Sequence, residues 1–235
     1  MIAQTVAQSR YRVTSTAVIA LDRAPQAPLV DTVNTTSLLT IEQSAGVDTV
    51  ATMSIDSLQL TSTGMIRRPA DAFSRGLGVS ALLSVGRPRT TGDSATACLT
   101  ERPLAGLLPE LLPLLPTPLR ADQQWSDTLT VTTCRAGLPV TTVTIVSSRT
   151  LTGIDSSSVL LERRAVIRAS GSAVLRQQTV TLGGTGTSES LAVVTVAERR
   201  IQSWRGTQSL DIQLTNGQQT RRMSQQLIET ASLIP

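Results

Sequence analysis

The stretch SLDIQLTNGQQTRRM, residues 209–223, decides the fold because it joins two alternating segments through a strong turn signal. Apolar and polar residues alternate from Leu210 to Leu214, which is typical of a β-strand with one buried face. Asn216-Gly217 is a preferred centre for a type I′ turn, in which both central residues take positive φ angles. The sequence therefore predicts an antiparallel hairpin. Its predicted register is Thr215 opposite Gln218, Asp211 opposite Arg222 and Leu210 opposite Met223.

A similar pattern extends over residues 128–230, where Thr- and Val-rich segments alternate with turn signals. A turn signal every roughly 10 to 18 residues predicts an antiparallel meander. The predicted turns are Ala136-Gly137, Gly153–Ser157, Ser170-Gly171, Gly183–Ser188, Arg205-Gly206 and Asn216-Gly217. Counting outward from Ser170-Gly171 gives two predicted pairs, Ile167 with Val174 and Leu161 with Val180.

The first half of the chain has the same character with less regular turns. The predicted strands are Tyr11–Leu21, Val33–Gln43, Thr49–Thr61 and Val79–Val85. Two segments, Met1–Arg10 and Asp22–Asp31, are expected to be uncovered and available to lie along a partner.

A Leu- and Pro-rich segment, residues 103–118, separates the halves. Its leucines follow helical spacing, while its prolines limit any helix to short pieces. We predict a plug whose Leu face covers the open side of the sheet; the alternative is an apolar patch for a partner or a lipid surface. The fold class is all-β, an antiparallel meander forming a curved sheet, half-barrel or sandwich. The predicted parts are 1–102, 103–120 and 121–235, within one continuous domain.

The composition excludes most catalytic chemistry. The chain has 34 Thr and 25 Ser, but no His and no Lys. Imidazole acid–base catalysis, Schiff bases, Ser-Lys dyads and the phosphate-binding lysine of nucleotide-hydrolysing loops are therefore impossible. Oxygen ligands for a metal are scattered and lack calcium-loop spacing. We predict a protein that is not an enzyme and has no cofactor and no metal.

Two weaker chemical signals remain. Asp122 and Asp127 precede or begin a strand, and two carboxylates suffice for glycoside cleavage, so a carboxylate-based hydrolase is an alternative. Loop capping is the commoner role for such acids. Gly76–Ala81 matches a relaxed dinucleotide-binding pattern, but no alternation of strands and helices surrounds it.

All 21 basic residues are Arg, and the net charge is +4. Residues 118–235 carry twelve Arg against eight acids. Doublets on a strand send their two side chains to opposite faces. The predicted partner-binding residues are Arg163, Arg164, Arg199, Arg200, Trp204, Arg221 and Arg222, with Trp204 as an aromatic anchor. Acidic protein surface or lipid headgroups would suit them, while cross-strand ion pairs are the structural alternative. Nucleic acid is not expected, because aromatic stacking residues are too few.

Three features bear on the compartment. No apolar run is long enough to cross a bilayer, and the first residues lack the layout of a signal peptide. Thr, Ser and Gln in place of Lys and Glu favour an exported protein whose leader is absent. Cys98 and Cys134 are predicted to form a disulfide, with two buried thiols as the alternative.

The residues Leu111–Pro116 and Ala121–Thr128, followed by Thr/Val strands with Gly-rich turns, resemble uncharacterised exported β-rich proteins of high-GC bacteria. The resemblance covers about residues 104–235 and extends loosely to lipoprotein-carrier-like folds, in which a curved sheet wraps a helical plug. It implies a periplasmic or cell-envelope location, membrane-extrinsic, and binding of a hydrophobic ligand or a protein. It carries over no catalytic residues.

The function we predict is a non-enzymatic accessory or scaffold subunit that binds a larger, membrane-associated protein assembly. A bacterial photosynthetic reaction-centre and antenna complex is one host that the composition suggests. The first alternative is a periplasmic carrier of a lipid or other hydrophobic ligand. An apolar cavity of ~300 Å³ or more under the plug would favour the carrier, and a filled interior would favour the scaffold.

Overall fold

The computed structural model describes residues 6–23, 25–44, 50–62, 83–84, 107–113, 115–135, 138–155, 157–175, 178–217 and 219–235. Within these ranges the chain forms ten strands and one single-turn helix. The strands are β1 (Val6–Arg23), β2 (Gln26–Ser44), β3 (Val50–Ser62), β4 (Leu83–Ser84), β5 (Gln124–Arg135), β6 (Leu138–Asp155), β7 (Ser158–Leu175), β8 (Gln178–Thr195), β9 (Ile201–Asn216) and β10 (Gln219–Ile234), and the helix is α1 (Leu108–Leu111).

All ten strands belong to one open antiparallel sheet with the order β4-β3-β2-β1-β10-β9-β8-β7-β6-β5. Each neighbouring pair except β1 and β10 follows directly along the chain, which is the predicted meander. The first and last long strands pair with each other, from Arg10 opposite Ile234 to Leu21 opposite Met223. The all-β antiparallel fold is therefore confirmed, as one open sheet and not a sandwich. Strands β1–β4 of the first half and strands β5–β10 of the second half meet where β1 pairs with β10, near the centre of the sheet.

Alternation along the strands separates an apolar inner face from a polar outer face. The inner face carries two hydrophobic clusters. The larger one, at the end we call the plug end, includes Tyr11, Leu39, Met53, Leu161 and Trp204. The smaller one, at the far end, includes Leu138, Ile167, Leu182 and Ile212.

The plug consists of residues 107–120 in the described part of the segment between β4 and β5. Leu107 and Leu111 are buried in the larger cluster, and Leu112, Leu115 and Leu119 pack against it. Leu111 is only 1% exposed. Burying a side chain of this size contributes about 1.5 to 3 kcal/mol to the free energy of folding. The leucines at helical spacing therefore form a plug over the inner face, as predicted.

The register predicted for the last hairpin is wrong by two residues. Asn216 pairs with Gln219, so Asp211 lies opposite Ser224 and not Arg222. Asn216 is the last residue of β9, and Gly217 takes the positive φ of 59° as the first residue of the turn. Side-chain faces are unchanged, because a shift of two residues preserves the alternation.

Three of the predicted turns are interior strand positions instead. Ser170-Gly171 lies within β7, where Ile167 pairs with Gly186 and Leu161 with Ala192. Gly183–Ser188 lies within β8, and Arg205-Gly206 lies within β9. At Gly171, a Cβ atom would come within 2.4 Å of the backbone oxygen of Pro139. Close approach between strands, and not a turn, accounts for glycine there.

The segments expected to be uncovered are paired strands where the structure describes them. Val6–Arg10 belongs to β1, and Gln26–Asp31 belongs to β2. Asp31 is buried, and its Oδ1 accepts a hydrogen bond of 2.8 Å from Ser62. Of the strand predicted at Val79–Val85, the described part is Leu83–Ser84, paired with β3. Residues 1–5, 67–68 and 76–81 lie outside the described ranges.

Candidate functional site

A polar row crosses the inner face directly beside the plug. Sheet register places Arg163, Ser190, Gly206, Glu229 and Ser15 side by side on five successive strands, β7 to β10 and then β1. The neighbouring row toward the plug end is apolar and includes Leu161, Ala192, Trp204, Ala231 and Val13. The row is therefore the boundary of the larger hydrophobic cluster.

The plug is tied to this row by an ion pair. The guanidinium Nη1 of Arg163 donates to Oε2 of Glu110 at 2.6 Å, and Ser190 Oγ lies 3.4 Å from the same oxygen. The Arg163 side chain is 10% exposed and that of Glu110 is 24% exposed. A pair so shielded from water orders its surroundings, and removing one partner leaves a costly unpaired charge.

Glu229, in the same row, has a strongly perturbed acidity. Burial and, to a smaller extent, the nearby carboxylate of Glu110 together raise the pKa of its carboxyl to about 7. The site thus combines a carboxylate held by Arg163 with a second carboxyl that binds a proton near neutral pH. Such a pair is suited to taking up and releasing a proton.

Trp204 fills the space that Gly206 leaves in the row. A Cβ atom on Gly206 would come within 2.5 Å of the indole ring. Trp204 is 5% exposed, and its Nε1 has no hydrogen-bond partner within the described ranges. The ring therefore packs against neighbouring side chains on the inner face, and its role as an anchor for an external partner stays a prediction.

Arg199 clamps the C-terminal part of the plug. Its guanidinium donates to Thr117 Oγ1 at 2.9 Å, to the Pro116 carbonyl at 3.2 Å and to the Leu115 carbonyl. The backbone of Arg199 has φ of 53°, a conformation that costs a non-glycine residue of order 1 kcal/mol. The three hydrogen bonds offset that strain.

Two further groups stabilise the plug end. The hydroxyl of Tyr11 donates to the Ile201 carbonyl at 2.9 Å, and burial raises its pKa to about 12, while the charge of Arg200 acts in the opposite direction. Arg200 is also paired with Glu198 at 2.7 Å. Thr150, within β6, exchanges backbone and side-chain hydrogen bonds with Gln123.

The seven predicted partner-binding residues therefore separate into two groups. Arg163, Arg199, Arg200 and Trp204 hold or underlie the plug, so they act within the chain and do not form a common outer surface. Arg164 is on the outer face, as alternation predicts, and pairs with Glu162 at 3.0 Å and Glu189 at 3.9 Å. Arg221 and Arg222 are exposed near the β9–β10 turn.

The outer face carries arginines that the sequence analysis did not single out. Four exposed arginines on this face form no ion pair with the described carboxylates, namely Arg12, Arg168, Arg205 and Arg222, of which only Arg222 was among the predicted partner-binding residues. Hydroxyl side chains surround them, and some form ladders between strands, such as Thr14 with Thr230 at 2.7 Å. This face offers forked guanidinium donors among hydroxyls, a few carboxylates such as Asp211, and the exposed apolar side chains of Ile145, Val166, Leu191 and Ile228.

The remaining sequence candidates have local roles or fall outside the description. Asp122 pairs with Arg149 at 3.7 Å, and Asp127 accepts a hydrogen bond of 2.7 Å from the Thr128 amide. Cys134 lies in β5 opposite Pro139, while Cys98 is outside the described residues, so their disulfide stays a prediction. Within the described ranges no three or more Asp, Glu or Cys side chains are grouped to hold a metal ion.

Two of the best-formed depressions lie at the far end of the sheet. One, of about 620 Å³, is lined mainly by outer-face residues such as Asp22, Asp211 and Arg222. The other, of about 240 Å³, is lined by Leu214, Asn216, Gln219 and Arg221. Neither lies under the plug. The described part of the chain contains no helix that is both long and apolar enough to cross a membrane.

Comparison with known proteins assigns no family. No protein-family model and no curated protein matches the chain. The crystal structure of OccAB4 from Acinetobacter baumannii is similar with a TM-score of 0.32 at 7% identity, covering 99% of each chain. OmpTdeltaL8, a loop-deletion mutant of OmpT, an outer membrane protein of Vibrio cholerae, gives 0.20 at 8%, covering 97% of this chain and 99% of its own. Both scores are too low to transfer any property.

Glu110 and Glu229 are the functional groups that sequence reasoning missed. A signal for Glu229 exists, since Met223, Leu227, Ala231 and Leu233 occupy alternate positions of β10 that include residue 229. The same rule places Arg163 among Leu161, Ala165 and Ile167 on the inner face. Glu110 gives no such signal, because its pairing depends on how the plug docks.

Proposed function

We propose that this chain is a non-enzymatic, extracytoplasmic binding subunit that attaches to a larger, membrane-associated protein assembly through the outer face of its sheet. The observation that carries the proposal is the different side-chain composition of the two faces of the sheet. The inner face is occupied by the plug and two hydrophobic clusters, whereas the outer face presents hydroxyls and unpaired arginines with scattered exposed apolar side chains between them. A broad polar face of this kind suits an extended protein contact.

The arginines of the outer face give the contact its chemistry. Arg12, Arg168, Arg205 and Arg222 lie on four different strands within the five neighbouring strands from β1 to β7 at the centre of the sheet. Guanidinium groups that are not already neutralised bind carboxylates with two parallel hydrogen bonds. We therefore expect an acidic protein surface as the partner. We also propose a cell-envelope location, which the predicted resemblance of residues 104–235 to exported proteins implies, and a photosynthetic host stays a prediction from composition alone.

The carrier function receives less support. Leu111 and the residues below it are closely packed, with Leu39 and Met53 both fully buried. A carrier needs space for its ligand, and the depressions described above are at the opposite end of the sheet. The hydrolase based on Asp122 and Asp127 is likewise less supported, because each carboxylate already has a local structural partner.

The test is a binding experiment with the tagged full chain and detergent-solubilised envelope membranes of the source cell. Replacing Arg12, Arg168, Arg205 and Arg222 together with Gln should weaken capture of a defined partner at least about tenfold at ~50 mM salt, and much less at ~500 mM. The control replaces Arg149 and Arg164, which are exposed but already paired, and should retain capture. Equal capture by both variants at each salt concentration would contradict the proposal.

A further inference from the structure

The chain contains only two asparagines, Asn34 and Asn216, and they lie in different surroundings. Asn34 lies within β2, between β1 and β3, and its Oδ1 accepts a hydrogen bond of 2.8 Å from Thr16. Asn216 is the last residue of β9 and is exposed, and its side chain has no hydrogen-bond partner within the described ranges. The side-chain amide of Asn216 is therefore much freer to move than that of Asn34.

The residue after Asn216 leaves the backbone nitrogen accessible. A Cβ atom on Gly217 would meet no atom from another part of the chain within 4 Å. Within the described ranges the Gly217 amide donates no hydrogen bond to a backbone carbonyl. Asn216 itself is held by the last pairs of the ladder, opposite Val180 and Gln219. Because the end of a ladder opens at little cost in free energy, the Asn216 side chain and the Gly217 nitrogen can meet.

The reaction that this arrangement allows is the loss of the side-chain amide as ammonia. The backbone nitrogen of Gly217 attacks Cγ of Asn216, and the bond between Cγ and the side-chain nitrogen breaks. The proton of the Gly217 amide leaves with that nitrogen as ammonia, and a succinimide ring remains. Water opens the ring at either carbonyl, which gives aspartate or isoaspartate, an isomer whose backbone passes through the side chain. Glycine favours the ring closure because it has no Cβ atom beside the attacking nitrogen.

A positive charge lies close to the position where the new carboxylate would form. Gln219 is directly opposite Asn216, and Arg221, two residues further along β10, is diagonal to Asn216 on the same face of the sheet. A long side chain can reach such a diagonal neighbour. Asn216 and Arg221 also line the same depression of about 240 Å³. Arg221 is exposed and forms no ion pair with the described carboxylates, so its guanidinium is available.

We propose that Asn216 is a self-modification site, at which the Gly217 nitrogen displaces the side-chain amide as ammonia and the aspartate carboxylate that results pairs with Arg221. The reaction lowers the net charge of +4 by one. The chain therefore changes its charge at the far end of the sheet with time. The proposal is independent of the proposed binding function, because Asn216 and Arg221 lie on the inner face and Arg222 lies on the outer face.

The first test follows the full-length chain in mildly alkaline buffer by peptide mapping with mass spectrometry. Asn216 should convert at least about tenfold faster than Asn34, and isoaspartate should form beside aspartate, because direct hydrolysis by water gives aspartate alone. Gly217→Ala should slow the conversion at least about tenfold, while circular dichroism checks that this variant keeps its β-sheet. Equal rates at the two asparagines, absence of isoaspartate, or an unchanged rate in a folded Gly217→Ala variant would overturn the proposal.

The second test concerns the role of Arg221. Asn216→Asp supplies the product directly, and NMR titration measures the pKa of the new carboxyl. Adding Arg221→Gln should raise that pKa by about 0.2 to 0.7 pH unit, which is the size expected for an exposed ion pair. Adding Arg222→Gln removes the same charge from the outer face and is the matched control, which should leave the pKa nearly unchanged. Equal shifts from the two replacements, or no shift from either, would contradict the pairing with Arg221.

Discussion

Gly186 has no side chain because the backbone of the next strand occupies the position of a Cβ atom. Such an atom would lie 2.2 Å from the carbonyl oxygen of Ser209 and 3.0 Å from the Leu210 side chain. Backbone atoms cannot move aside without disturbing the β8–β9 ladder. Gly183, on the same strand, has nothing within 4 Å of that position. The same residue type therefore has different roles three positions apart.

This contrast gives a prediction with a built-in control. Gly186→Ala should lower the free energy of unfolding by about 2 kcal/mol or more, because the added methyl forces the strands apart. Gly183→Ala should be neutral or stabilising by up to about 1 kcal/mol, because it restricts the unfolded chain without a clash. Urea denaturation of both variants measures the difference. Equal destabilisation by the two changes would contradict the strand assignment of Gly183–Ser188.

The ion pair between Arg163 and Glu110 gives a second prediction. Arg163→Met should destabilise the fold by roughly 1 to 3 kcal/mol, because the partly buried Glu110 carboxylate loses its partner. Adding Glu110→Gln should recover part of that loss, since the unpaired charge is then removed. A double-mutant cycle by urea denaturation measures the coupling, which we expect to reach about 1 kcal/mol. Additive effects would show that the pair contributes nothing.

At the scale of the element, the docked plug places the carboxylate of Glu110 close to the partly buried carboxyl of Glu229 on β10. Glu110 of the plug lies near Glu229, and Arg163 is the one cation in the polar row that contains Glu229. The residues beside Glu229 on the neighbouring strands, Gly206 of β9 and Ser15 of β1, are uncharged. Protonation of Glu229 removes the repulsion between the two acids. The docking of the plug is therefore linked to pH.

The sign of this effect follows from the raised pKa. Because the folded chain holds the proton of Glu229 up to a pKa of about 7, against 4.5 without these surroundings, the contribution of this group to stability is fully present below about pH 4.5 and is lost as the pH rises to about 7. The loss from this group is at most about 3 kcal/mol. Glu229→Gln cannot ionise, so this part of the slope should disappear. Urea denaturation from pH 4.5 to 8 measures it, and parallel curves for both proteins would contradict the assignment.

The plug also shows what sequence reasoning can and cannot reach. Leucine spacing alone was enough to predict that residues near Leu107 and Leu111 cover the inner face. The clamp by Arg199 was not predictable, because its acceptors Leu115 and Pro116 are more than 80 residues away in sequence. The Arg doublets were interpreted as a partner-binding surface, although Arg163 and Arg199 each donate hydrogen bonds to the plug.

At the scale of the whole molecule, periodicity predicted the class of the fold and most strands. It failed at Gly171 and Gly206, because a glycine in a strand and a glycine in a turn look alike until the neighbouring strand is placed. Pairing of β1 with β10 was also missed, since no local pattern links residues so far apart in sequence. The difference between the apolar inner face, which the plug covers in part, and the outer face with its arginines is evident only when all ten strands are placed in one sheet.

The most direct test of the account is site-specific photo-crosslinking in native envelope membranes. A photoreactive residue is placed on the outer face, at Thr187 or Arg205, or on the inner face, at Gln208 or Leu227. We predict that both outer positions crosslink to one common partner protein and that both inner positions do not. Crosslinks confined to the inner positions, or to lipid alone, would contradict the claim that the outer face of the sheet is the binding surface.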